Sequence, residues 1–411
     1  MENFLTDFPN INDLSDFHHT GPENEYQLVN GHIHTPYSFS AFSHPEQAFQ
    51  MAQEENVRIL GINDFYSTEG YNEFHSLSKK YRIFPLFNIE FMGLLKEEQE
   101  KGIRVNDPGN PGRIYFSGKG LDYPVKPDSC LTGKLSLLRA AGQKQTAEML
   151  EKASLLLNSL DSRLKLDYSE VVNNYTRGML RERHIARAIR IKIIEMFRTS
   201  EERYQFLTKL YGGKQSQADI SNPAALENEI RSELLKAGGK AYVRESTEAF
   251  LELEEIIRII RIAGGIPCYP VLLDDAKGNL TEYEQDYESL YTSLIKHEVF
   301  CIELIPGRND FNKLKECVNF FHSRNFIITL GTEHNTPDLS PVRVNARGGT
   351  PLDDNLNRIS YEGACVIAAH QYRRAKGGEG FVMPDYSSQA ELKAKFTREG
   401  NAVINHYLDV I

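Results

Sequence analysis

Short apolar runs separated by helix-length amphipathic stretches recur along most of this 411-residue chain, and that alternation constrains its fold more than any other feature. Gln27–Gly31, Val57–Asn63 and Phe84–Glu90 read as strands. Between them, Ser43 with Glu46 three residues on forms a capping box for a helix through Glu55, and Gly70–Lys80 suits a short helix. This is βαβαβ spacing, which calls for parallel strands covered by helices. The alternation stops after Met92, where residues 96–111 are polar and rich in Gly and Pro. A helical block follows, with helices expected at Lys134–Leu160, Tyr168–Asn174, Met179–Phe197, Ser200–Leu210 and Pro223–Lys236. Strand and helix alternate again from Ser246, with a helix over Thr247–Ile262 and others at Glu282–Lys296 and Phe311–Ser323. Strands are expected at Ile266–Leu272, Val299–Ile305 and Phe326–Gly331, and two closing helices at Tyr361–Ala375 and Gln389–Leu408. The expected organisation is an N-terminal arm (1–27), a barrel domain in two pieces (28–115 and 245–345), a helical insertion (116–244) and a C-terminal helical extension (346–411).

Composition narrows the function classes. No apolar run approaches the ~20 residues needed to cross a bilayer, and the acidic start Met1-Glu2-Asn3-Phe4-Leu5-Thr6-Asp7 lacks a signal peptide's basic region, so a cytoplasmic protein is expected. The formal charge of −10 repels polyanions, which argues against long nucleic acid as partner, although a local cation site could still hold a small phosphate. Five cysteines without C-x-x-C spacing argue against a disulfide framework. Oligomeric state is not legible.

The strand ends carry the chemistry. His32 and His34 lie two apart at the end of the first strand, so both rings face the same side and can reach one cation. Other strands end on Asp64, Glu90, Tyr269 and Glu303, and the last on Glu333, His334 and Asn335. Any one acid there is ordinarily a capping or turn residue. A set converging on one sheet edge has no such structural need, and in a parallel α/β barrel that edge is where sites form.

These segments resemble the polymerase and histidinol phosphatase (PHP) family of metal-dependent phosphoesterases. His32-Ile33-His34-Thr35-Pro36-Tyr37-Ser38 is similar to that family's first motif, and Gly61-Ile62-Asn63-Asp64-Phe65-Tyr66-Ser67 occupies the place of its second, normally Thr-Asp-His. Glu90 matches its bridging glutamate. Arg183-His184-Ile185-Ala186-Arg187-Ala188 resembles the Arg-Pro-His-Ile-Ala-Arg-Ala stretch found inside the helical insertion of some members. Gly264-Gly265-Ile266-Pro267-Cys268-Tyr269-Pro270 resembles the segment ending Ala-His-Pro, and Gly331-Thr332-Glu333-His334-Asn335 the closing Gly-Ser-Asp-x-His.

The resemblance implies a distorted (β/α)7 TIM-like barrel with an inserted helical subdomain, and a metal-dependent hydrolase that acts on a small phosphorylated metabolite or nucleotide. It implies a first metal on His32, His34, Glu90 and Glu333, and a second on Glu90 and His184 whose remaining histidine is here Tyr269. A third would fall on Ser40, Phe65 and Asn335, none a good transition-metal ligand. One or two divalent ions (Zn, Mn or Fe) are therefore expected rather than three. Asp64 is expected to orient water or a ligand histidine, His184 and Arg183 to act at the site, and Arg187 and Arg308 to be further cations for an anionic substrate. Because His334 sits one residue off the family position, it either turns outward as a surface residue or replaces the lost ligand. The alternatives are a degenerate barrel with a binding role, and a hydrolase of a non-phosphate substrate.

Overall fold

Seven strands lie side by side in chain order: β1 (Leu28–Ile33), β2 (Val57–Phe65), β3 (Phe84–Leu94), β4 (Arg113–Lys119), β5 (Ile266–Val271), β6 (Cys301–Leu304) and β7 (Ile327–Leu330). The computed structural model describes residues 3–18, 26–126, 130–245, 250–275, 278–382 and 389–410. β1 to β3 pair in parallel, β4 runs antiparallel to both neighbours, and β5 to β7 are parallel again. The sheet curls until β1 meets the end of β7. There His34 N donates to Glu333 O at 2.7 Å and Glu333 N to His32 O at 3.0 Å, closing a distorted barrel through the bridge Ile33 to Glu333.

All six strands expected from the apolar pattern are present. β4 is the addition, and it crosses the boundary expected at residue 115. Its sequence Arg-Ile-Tyr-Phe-Ser-Gly-Lys shows no clean apolar alternation, because Ser117 and Lys119 are fully buried polar residues while Ile114 and Phe116 join the outer core. The first crossover helix is Pro45–Glu54, capped by His44, whose Nδ1 accepts from Gln47 N at 3.2 Å; Ser43 instead binds the Gln47 side chain. The second crossover helix is Tyr71–Tyr81.

The helical block begins at Cys130–Leu160 and continues through Tyr168–Tyr175, Glu182–Met196, Ser200–Leu210 and Pro223–Ile230. It has its own core, in which Leu150, Leu157, Ile185, Ile189, Leu207 and Leu226 are buried together. The helix before β5 is Leu253–Ile262, shorter than expected, and residues 247–249 of that expectation fall outside the described residues. The closing helices are Asp354–Ala375 and Gln389–Val410. Within the N-terminal arm, Phe4 packs on His75, Phe84, Phe87 and Tyr407. Among the described residues no helix is long and apolar enough to cross a membrane.

The seam between β1 and β7 depends on Gly331, where an added Cβ would lie 2.4 Å from His32 Cβ and 2.8 Å from His32 N. Since backbone must give way, Gly331→Ala is expected to destabilise the fold by about 1 to 3 kcal/mol or more and to displace His32. Urea unfolding checks this, and an unchanged midpoint would contradict it.

A second prediction concerns acid. His370 is buried with Nε2–H donating to Gly264 O at 2.5 Å and Nδ1 accepting from Phe381 N at 2.8 Å, so its neutral form satisfies both neighbours and a second proton has no acceptor. Burial lowers its pKa to about 4. The unfolded chain, near 6.5, then binds more protons between these values, so the contribution is complete above pH 6.5 and lost as pH falls toward 4, about 3 kcal/mol in all. His370→Gln should flatten the stability profile between pH 6.5 and 4. A variant profile parallel to wild type would contradict this.

Candidate metal centre

The pleat of β1 carries the first two ligand-type residues inward. His32 closes the strand's interior face and His34 follows where the chain bends along Glu333, and both rings are buried. On β3, Glu90 lies opposite Phe65 of β2 and Ser117 of β4, which aims its carboxylate at the same point. His34 Nε2 is 3.1 Å from His32 Nε2 and 3.1 Å from Glu90 Oε2, and His32 Nε2 is 4.0 Å from that oxygen. Among the described residues this is the one group of three or more His, Cys, Asp or Glu side chains whose donor atoms fall within 4.8 Å of one another.

The surrounding hydrogen bonds decide where the protons are. Asp64 is fully buried and accepts from Thr35 N (2.7 Å), Thr35 Oγ1 (2.5 Å) and Ser38 Oγ (2.6 Å). With its own proton committed to Asp64, Ser38 Oγ accepts from His34 Nδ1–H at 3.2 Å, and His34 Nε2 is left as a bare lone pair. His32 Nδ1 is 3.0 Å from Glu303 Oε1, an acceptor, which puts the His32 proton on Nδ1 and leaves Nε2 facing His34, Glu90 and, 3.1 Å away, the Asn63 amide. Burial lowers His34 to about 4, against the pull of Asp64 and Glu333, so the ring is neutral at pH 7. Burial likewise raises Glu90, with the carboxylates of Glu333 and Glu303 adding to it against His32.

These donors fit a divalent cation. Two imidazole nitrogens converge on Glu90 Oε2, a buried oxygen with no hydrogen-bond partner, and a cation there would take the place of the proton that burial favours on this carboxyl. The two 3.1 Å separations approach the ~3.3 Å between ligands that share an ion at about 2.0 to 2.1 Å.

Below the cluster a polar layer fills the barrel. Glu303 on β6 receives Ser117 Oγ at 3.2 Å and ion-pairs Lys119 of β4, and both charged side chains are fully enclosed. Burial would raise Glu303, but His32 and Lys119 outweigh it and hold the carboxyl at about 2. Asn63 of β2 places Nδ2 3.0 and 3.1 Å from the two His32 ring nitrogens.

The other candidates stand apart from the cluster. Glu333 lines the same cavity as Glu90, but its carboxylate is bound by Arg308. It and His334 adopt left-handed backbone, with φ of 61° and 57°. His334 turns away yet is buried rather than exposed: it stacks on Phe42 at 4.5 Å, and its two nitrogens engage Thr332 Oγ1 (2.7 Å) and Ser340 O (2.9 Å). His184 spends Nδ1 on its own helix, accepting from Arg181 N at 3.0 Å, and packs edge-on against Phe39. Burial, followed by Arg187 and Arg181, lowers it to about 3. The Tyr269 hydroxyl donates to Glu284 at 2.8 Å, Ser40 Oγ accepts from Phe42 N, and Phe65 stacks on His34 at 4.8 Å.

Two cavities, one of them lined by Glu90 of the cluster, share Phe65, Tyr115, Arg308 and Asn335. One, about 600 Å³, reaches Glu90 and Glu333; the other, about 280 Å³, runs between barrel and insertion past Arg113, Arg181, Arg183 and Arg231. Arg113, Arg231 and Arg308 are ion-paired with Glu245, Glu182 and Glu333. Arg181 and Arg183 have no carboxylate partner among the described residues. The Arg181 guanidinium lies 4.7 Å over the Phe65 ring that stacks on His34, and Arg183 donates to Asn228 Oδ1 at 3.1 Å. Burial, and then Arg231, lowers Arg183 to about 10. Arg187 instead lies 3.6 Å from Glu227. The helix expected at Met179–Phe197 would include Arg181, which instead precedes the helix and faces the cavity.

Scans against protein-family models and curated protein sequences return no match. Among solved structures, the chain is similar to a protein from Bifidobacterium adolescentis assigned as a metal-dependent phosphoesterase. The TM-score is 0.51 and the identity 16%, over 82% of this chain and 96% of that one. It is similar also to an amidohydrolase from Chromobacterium violaceum, solved with bound sulfate and no metal, with TM-score 0.51 and 14% identity over 81% of this chain and 96% of that one. The likeness is one of fold. It agrees with the distorted TIM-like barrel expected from the motifs.

Proposed function

We propose that this protein is a metal-dependent hydrolase whose cation is held by His32, His34 and Glu90, and that it acts on a small phosphate ester. The observation that carries the reading is the convergence of two imidazole Nε2 atoms on an unpartnered, buried Glu90 oxygen inside the barrel. A divalent cation bound there lowers the pKa of water toward ~7 and polarises a phosphoryl oxygen.

The rest falls to side chains of the chain itself. Asp64 acts through Ser38 by holding the His34 ring, and being enclosed it does not meet substrate. Arg181 and Arg183 present uncompensated positive charge beside Phe65 and Phe39, and so bind and orient an anionic group next to the centre. The walls of Phe39, Phe65, Tyr66 and Tyr115 keep water from the reacting group. Glu333, held by Arg308, would join the centre only by leaving that ion pair.

The test is metal content by elemental analysis together with hydrolysis of a panel of phosphomonoesters, non-phosphate esters and lactones in added Mn or Zn. One or two equivalents of metal with phosphomonoester turnover is expected. Metal with turnover of non-phosphate substrates alone would move the substrate class, and metal without turnover would favour the binding barrel, for which Tyr269 and Phe65 at family ligand positions speak. No metal under any condition would overturn the reading.

A further inference from the structure

The most enclosed ion pair in the barrel has no assigned task. Lys119 is fully buried on β4, and its Nζ reaches Glu303 Oε2 and lies 3.4 Å from Asn63 Oδ1. Desolvating two charges costs several kcal/mol each, and apolar residues of similar volume commonly serve stability as well or better, so stability does not account for this pair. What it touches is more telling. Glu303 gives its other oxygen to His32 Nδ1 at 3.0 Å and to Ser117 Oγ at 3.2 Å. Lys119 donates to the Asn63 carbonyl oxygen, which orients that amide so that Nδ2 faces Ser117 Oγ at 3.1 Å and the His32 ring. Three strands, β2, β4 and β6, thus deliver one network that ends on the His32 ring.

We infer that Lys119 is a positioning residue. By pinning Glu303 and the Asn63 amide, it fixes the His32 imidazole with its proton on Nδ1 and its Nε2 lone pair turned toward Glu90 and His34. Without the ammonium, the Glu303 carboxylate is free to rotate away from His32 Nδ1, and the Asn63 amide is free to flip. Either change lets the His32 ring exchange tautomers. This deepens the metal reading and rests on His32 being a ligand. Partners of this kind around ligand histidines typically tune metal affinity by ~10 to 100-fold.

The experiment records ¹⁵N spectra of histidine-labelled, metal-free protein, with His32 assigned through His32→Gln, alongside zinc affinity measured by chelator competition. It compares wild type with Lys119→Met and with the double variant Lys119→Met/Glu303→Gln, which buries no charge and carries the test if the single variant does not fold. Wild type should show one tautomer protonated at Nδ1. The folded variants should show mixed tautomers and zinc affinity lower by ~10 to 100-fold. A folded double variant with a single Nδ1–H tautomer and wild-type zinc affinity would overturn the inference. Should wild type bind no zinc while the tautomer still becomes mixed in the variants, the metal reading fails and the positioning of His32 by Lys119 stands.

Discussion

His34→Ala is expected to strip the protein of its cation and of its hydrolytic activity together. His34 Nε2 is the hub of the cluster, 3.1 Å from both other donors, and its ring is held from behind by Ser38 and Asp64. Removing one of three donors should cost metal affinity by more than the ~100-fold that marks the upper end of a change beyond the ligands themselves. Elemental analysis after dialysis, run beside hydrolysis of the best phosphomonoester, checks the expectation. Asn335→Ala is the control. Asn335 lines both cavities without joining the donor cluster, so its removal should leave metal content unchanged. Full metal content in His34→Ala would mean that the cation sits elsewhere.

Arg181→Ala should separate substrate binding from metal binding. Its guanidinium makes no ion pair with a described residue and lies over Phe65, one ring away from His34, so an anion at the centre is its natural partner. Hydrogen bonds from a charged donor are worth about 1.5 to 3 kcal/mol, and their loss is expected to lower kcat/KM by ~10 to 150-fold with metal content unchanged. Arg181→Lys should recover only part, since an ammonium cannot make the planar two-point contact. Steady-state kinetics on a phosphomonoester decide this, and an unchanged kcat/KM would place the anion elsewhere.

How far the sequence foretells this site depends on how each residue is presented. His32, His34 and Glu90 are legible because they end apolar runs, where strand periodicity fixes the side that they face. The barrel's polar floor is not legible by the same rule. Lys119, Ser117 and Asn63 are buried inside strands, so they break the pattern by which strands are recognised, and β4 is missed with them. Glu303 reads by itself as a turn acid, yet it is enclosed because Lys119 and His32 neutralise it across the barrel.

The insertion shows a different limit. Its helices follow from periodicity, whereas the way its first turns meet the barrel mouth depends on tertiary packing. His184 therefore carries the family motif but spends Nδ1 on capping its helix, while Arg181, three residues earlier, faces the cavity. His334 illustrates the same point, since alternation says only that it turns away, and packing against Phe42 makes it buried rather than exposed.

The central claim is that one cation is held by two imidazoles and a carboxylate inside the barrel mouth. Anomalous diffraction from crystals grown with Zn or Mn, recorded on both sides of the metal's absorption edge, tests it most directly. The expected result is a peak bonded to His32 Nε2, His34 Nε2 and Glu90 Oε2, with any second peak adjoining Glu90. No peak among these three atoms at saturating metal, or a peak only at His184 or Glu333, would contradict the account.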